Sequence, residues 1–213
     1  MTVELHILNA GGRLSPLLEC IDQAFREGVR EVGSLIPISN LDVVVQANDH
    51  VLPEIGLVGH CYQSDVVYIS IDPNNSNLLS KFDNLFISAL GHELHHAMRH
   101  KGPGYGSTLA EALISEGLAC HFETELRDGD TPFYAKSFDI TDLEDFSLKA
   151  TKEFGQTSYD HNAWFYGSNV ARLPRHAGYS LGFWIVEKYI KSQGIPASLL
   201  WSRGHEEFYN HSG

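Results

Sequence analysis

Gly91-His92-Glu93-Leu94-His95-His96-Ala97-Met98-Arg99-His100 decides how the rest of the chain is read. It contains His92-Glu93-x-x-His96. On a helix, positions four apart share a face, so the two imidazoles can converge on one point. Glu93 stands beside them, able to reach a water held at that point. Two neutral nitrogen ligands, an open coordination position and a nearby base are what metal-assisted hydrolysis needs.

The residues upstream carry this stretch on a helix. Leu78, Leu79, Phe82, Leu85, Phe86, Ala89, Leu90 and Ala97 recur at helical spacing. They predict one long buried helix from about Asn77. Buried polar groups need partners, which favours ligation for the histidines. Lys101-Gly102-Pro103-Gly104-Tyr105-Gly106-Ser107 cannot continue the helix and is a loop. Thr108-x-x-Glu111 then has the form of a capping box. A second helix runs to about Leu126, with Leu109, Ala112, Leu113, Glu116, Ala119, Cys120 and Glu123 on one stripe.

A third ligand separates the classes of His-Glu-x-x-His site. One class places it six residues after the second histidine, and Gly102 stands there, with Arg99 where that class has glycine. No Gly-Thr-x-Asp segment follows, so an aspartate ligand of that class is absent. The remaining class takes a glutamate from the next helix. Glu116, twenty positions after His96, interrupts an otherwise apolar stripe and meets that requirement. His100 continues the four-residue row and stands as an outside candidate.

Upstream of the helix, Val3, Leu5 and Ile7 alternate with polar residues as a strand. Ser15-Pro16 opens a helix running to about Val32, and 33–40 is a turn region. Three further strands are expected at 41–47, 57–62 and 66–71, with Gln63-Ser64-Asp65 as a hairpin turn. Downstream, Thr141-x-x-Glu144 starts a helix to about Phe154. The segment 155–174 is irregular and aromatic. Helices follow from Ala177 to Lys191 and from Ile195-Pro196 to about Phe208. The expected fold class is α+β: a small N-terminal sheet with a helix, then an active-site helix pair and a helical C-terminal part. The chain is read as one domain over 1–213, with an α/β sublobe at 1–73 and a helical sublobe at 74–213.

The 213 residues are 43% hydrophobic, enough for a sizeable core, and carry a net charge of −12. An acidic chain is a poor partner for nucleic acid. Cys20, Cys61 and Cys120 are too few and too scattered for a disulfide framework. No signal peptide or membrane-length apolar run is evident, so a cytoplasmic location away from membranes is expected. His60, Tyr62 and the aromatics of 159–166 read as sheet and core residues.

With these residues assembled, the chain resembles a gluzincin. His92, Glu93, His96 and Glu116 match the thermolysin-type pattern. More narrowly, Ala89-Leu90-Gly91-His92-Glu93-Leu94-His95-His96, Ile114-Ser115-Glu116-Gly117-Leu118-Ala119 and Arg175-His176-Ala177-Gly178-Tyr179-Ser180-Leu181-Gly182 resemble a family of predicted zinc-dependent proteases that is catalogued as a domain of unknown function. The resemblance implies a zincin-like fold. It also implies one Zn²⁺ per chain on His92, His96 and Glu116, and a peptide or protein substrate. Glu93 would be the general base, with Tyr179, or else His176, stabilising the oxyanion. Thermolysin-like enzymes have an aspartate four residues after the ligand glutamate to hold a ligand histidine, and here that position is Cys120. The competing reading is a non-catalytic, metal-stabilised binding or chaperone-like module on the same fold.

Overall fold

Alternation at the N-terminus produces the strand it predicts. In the computed structural model, which describes residues 2–210, β1 is Val3–Leu8. A 3-10 turn over Ser15–Leu17, with Pro16 at its start, leads into α1 (Leu18–Leu35). This helix runs past Val32, where it was expected to stop. Gly33 does not end it. The chain leaves the helix at Ile36, which is extended (φ −129°, ψ 149°) because the ring of Pro37 disfavours helical backbone in the residue before it.

The valine-rich segment forms β2 (Leu41–Ala47), followed by β3 (Leu57–Gln63) and β4 (Val66–Ile71). The sheet order is β1-β2-β4-β3. β1, β2 and β4 run parallel, and β3 returns antiparallel along β4, so β3 is an edge. Its pairing is irregular between His60 and Gln63.

The long helix is in fact two. α2 (Ser76–Ser80) is capped by the Asn75 side chain, and α3 (Phe82–His100) follows. Lys81 lies between them with φ −142° and ψ 33°. The apolar period crosses the break, since Leu78 and Phe82 are both buried, so periodicity does not register it. α3 packs on β3 and β4 and against α1. Every residue from Leu90 to Arg99 is buried, which is why the apolar run there is nearly continuous.

The chain divides into two compact units, Met1–Lys101 and Gly102–Gly213. The first is the sheet with α1, α2 and α3. The second begins with α4 (Leu109–Leu126). Its capping box is complete: Thr108 accepts from the Glu111 N–H, and the Glu111 carboxylate accepts from the Thr108 N–H. α5 is Ile140–Ala150, α6 is His161–Tyr166, α7 is Ala177–Gln193 and α8 is Glu206–Tyr209.

Three expectations need correction here. α5 is capped by Asp139, whose carboxylate takes the N–H groups of Thr141 and Asp142, so the helix starts before Thr141; it ends at Ala150, not Phe154. The irregular segment 155–174 contains α6, started by the Asp160 side chain. The last helix is not continuous. Ser198 gives both its N–H and its hydroxyl to Glu125, at 3.0 and 2.6 Å, holding Ala197–Leu199 as a separate 3-10 turn.

α4 and α7 form the spine of the second unit and meet at a pair of glycines. A Cβ on Gly117 would lie 2.3 Å from the Gly182 carbonyl oxygen, and one on Gly182 would lie 2.2 Å from that of Leu113. Trp164, Phe165, Leu181, Ile185 and Phe208 complete the core around this crossing. The architecture is α+β, as expected. The three cysteines are free thiols, and among the described residues no helix is long and apolar enough to cross a membrane.

Candidate metal centre

In the first unit, α3 places His92 and His96 one turn apart. Their Nε2 atoms are 3.0 Å from each other, with the ring planes at 76°. Both side chains are buried. Two nitrogens bound to one tetrahedral zinc at ~2.0–2.1 Å lie ~3.3–3.4 Å apart. The observed spacing therefore fits two lone pairs aimed at one ion, within a few tenths of an ångström.

Glu93 is also buried, and its side chain rests against the backbone of β3 at Gly59. The neighbouring strand residue Cys61 registers this. Its thiol is pushed up to about 12, first by burial and then by the negative charge of Glu93. His100 does not extend the ligand row: its Nε2 lies 3.3 Å from the Cys61 carbonyl oxygen, the placement of a donor to the strand. His95 is wholly buried in the same helix. Glu4, His6 and Asp42 form another group of possible donors in this unit, but all three are exposed, where water competes well for any ion.

In the second unit, α4 carries Glu116, which is buried. The Tyr105 hydroxyl donates to Glu116 Oε1 at 2.8 Å. The Ser115 hydroxyl donates back to the Tyr105 carbonyl at 2.7 Å, so the loop and helix are tied twice. Glycines allow this return of the chain: Gly104 and Gly106 have φ of 86° and 102°. Burial, and then the charge of Glu116, hold the Tyr105 hydroxyl well above the ordinary tyrosine range, which keeps it a donor.

Tyr179, in the first turn of α7, lies within the field of the same carboxylate. Burial, followed by the Glu116 charge, raises its hydroxyl well above the usual value. Its ring packs on Tyr134 and Phe165, each at 5.0 Å. His176 is the residue from which α7 starts, in left-handed backbone with φ 73°. That conformation costs a non-glycine residue roughly 1–2 kcal/mol. The His176 ring contacts Phe133 at 5.4 Å and Tyr179 at 6.3 Å. Cys120 is fully buried and its thiol is raised by burial, then by Glu123 and Glu116. Glu123 is the buried carboxylate near it on α4 and accepts from the Tyr134 hydroxyl.

Three residues that feel the Glu116 carboxylate carry no signal in the sequence. Tyr105 stood in a loop with no period. Tyr159 and His161, joined at 3.0 Å, stood in the aromatic segment read as core. The Glu116 charge acts on both. No local pattern marks them.

A family model described as "Predicted Zn-dependent protease (DUF2268)" matches residues 21–208. The chain belongs to this family. The match begins within α1 and covers all of α3, α4 and α7, so a member of the predicted Zn-dependent protease family presents the donors described above on matched elements. Comparison with curated proteins and with solved structures finds no match.

Proposed function

We propose that the chain is a zinc-dependent peptidase, hydrolysing peptide bonds in a peptide or protein substrate with 1–213 acting as one domain. One Zn²⁺ per chain would be held by His92, His96 and Glu116. The observation that carries this reading is the pair of imidazole nitrogens 3.0 Å apart on a buried helix, with Glu93 beside them. Family membership supports it, and so does the interval from His96 to Glu116. Three free thiols suit a reducing cytoplasm, which we propose as its location.

Bound there, zinc supplies Lewis acidity and lowers the pKa of water towards ~7. Glu93 takes a proton from the attacking water as its oxygen bonds to the scissile carbonyl carbon. Glu93 then returns that proton to the amide nitrogen as the carbon–nitrogen bond breaks. Tyr179, kept protonated by burial, donates to the oxygen on which negative charge develops. His176, one turn earlier, is the second donor candidate and packs against Tyr179. Tyr105 fixes one oxygen of Glu116.

Metal analysis of the purified chain tests the reading first. It should find about one zinc per chain, and chelation should remove peptide hydrolysis that added zinc restores. A chain without zinc, or hydrolysis indifferent to chelation, sinks the proposal. Zinc with four protein ligands and no hydrolysis would favour the binding-module alternative. Tyr179→Phe should lower kcat by about 10²-fold with little change in KM, since the donor acts only on charge that develops in the transition state. An unchanged kcat in steady-state kinetics would remove Tyr179 from the mechanism.

A further inference from the structure

β3 holds a glycine that its backbone does not require. Gly59 pairs with Ile69 in the antiparallel ladder, and it is not among the positive-φ glycines. Any residue could adopt its conformation, and a side chain there would lower the entropy lost on folding. Space is the reason for its absence. A Cβ built on Gly59 would lie 2.4 Å from Glu93 Cγ, 2.4 Å from Oε1 and 2.7 Å from Cδ. Atoms of this kind do not approach closer than 3.0 Å. The three nearest atoms all belong to one flexible side chain, that of Glu93. Alanine at 59 is therefore accommodated by swinging the Glu93 side chain, Cγ included, into another rotamer that takes the carboxylate aside.

We infer that Gly59 is a positioning residue for Glu93, its bare backbone being the surface against which the carboxylate is set. The inference rests on the reading of Glu93 as the base, and it adds a determinant on another element, thirty-four positions earlier in the chain. Glu93 cannot be held at this place by α3 alone, because a glutamate side chain has three rotatable bonds. The strand limits that freedom by contact on one side.

A melting cycle on the full chain tests the contact without reference to activity. Gly59→Ala is introduced into the parent and into a Glu93→Ala background, where the Cβ has room. The effect of Gly59→Ala on Tm should be more favourable in the second background by about 2–4 °C. Equal effects in both overturn the inference. Kinetics test the consequence. Gly59→Ala should keep one zinc per chain and KM within about twofold while kcat falls about 10- to 100-fold. In a Glu93→Gln background, where the base is already lost, adding Gly59→Ala should cost less than about threefold. An unchanged kcat in Gly59→Ala, or the same loss in both backgrounds, overturns the positioning role. If the parent hydrolyses no peptide at all, the peptidase reading fails, and the melting cycle alone still decides whether Gly59 sets the position of Glu93.

Discussion

Glu93→Gln should leave about one zinc per chain and lower kcat by about 10²–10⁴-fold. The substitution is nearly isosteric. The amide fills the same space against Gly59, so the fold and the histidine pair are undisturbed. What disappears is basicity: an amide cannot accept the proton of the attacking water at neutral pH. Metal content and steady-state kinetics on one peptide substrate are sufficient to judge this. Full activity would show that Glu93 is not the base. Loss of zinc together with activity would instead make Glu93 a ligand.

Gly117→Ala should destabilise the chain by about 3 kcal/mol or more, lowering Tm by roughly 6–12 °C. Helix propensity alone predicts the opposite sign, because alanine is favoured over glycine by ~1 kcal/mol in a helix interior. The crossing of α4 and α7 decides the matter. The new Cβ would meet the Gly182 carbonyl oxygen at 2.3 Å and its carbon at 2.4 Å, and backbone cannot turn aside as a side chain can. The two helices would have to separate. Glu116 precedes Gly117 in α4, and Tyr179 lies one turn before Gly182 in α7, so separation also disturbs the field that Glu116 places on Tyr179. Gly182→Ala should behave alike, and the double variant should cost less than the sum of the two. A change within about 0.5 kcal/mol in urea denaturation would mean that the helices do not meet this closely.

The contrast between Gly59 and Gly117 shows where reading the chain reaches its end. Both glycines sit inside regular elements, and neither has the positive φ that would explain it locally. In the sequence each is only a weak spot. In the structure one makes room for a carboxylate and the other for a helix backbone.

The strands at 41–47 and 66–71 were legible because valine and isoleucine crowd there. The start of α4 was legible because the Thr108–Glu111 capping box is closed by residues three apart. The start of α5 was misplaced for a related reason. Asp139 caps with bonds to the second and third residues after it, and the similar Thr141-x-x-Glu144 pattern lies just downstream. The break at Lys81 was hidden, since buried Leu78 and Phe82 keep the apolar period going across it.

The same division runs through the candidate site. His92, Glu93 and His96 were readable because a helix turns a spacing of four into a shared face, whatever surrounds it. Their geometry is a property of adjacent residues, and the sequence by itself determined it. The order β1-β2-β4-β3 was decided only by tertiary structure. So were the Tyr105 hydroxyl on Glu116, the rest of Glu93 on Gly59 and the approach of Gly117 to Gly182. Each of these contacts joins residues separated by a loop or by whole elements. Such distances are closed by burial of apolar surface over an entire unit, and no short pattern along the chain records which backbone will meet which side chain.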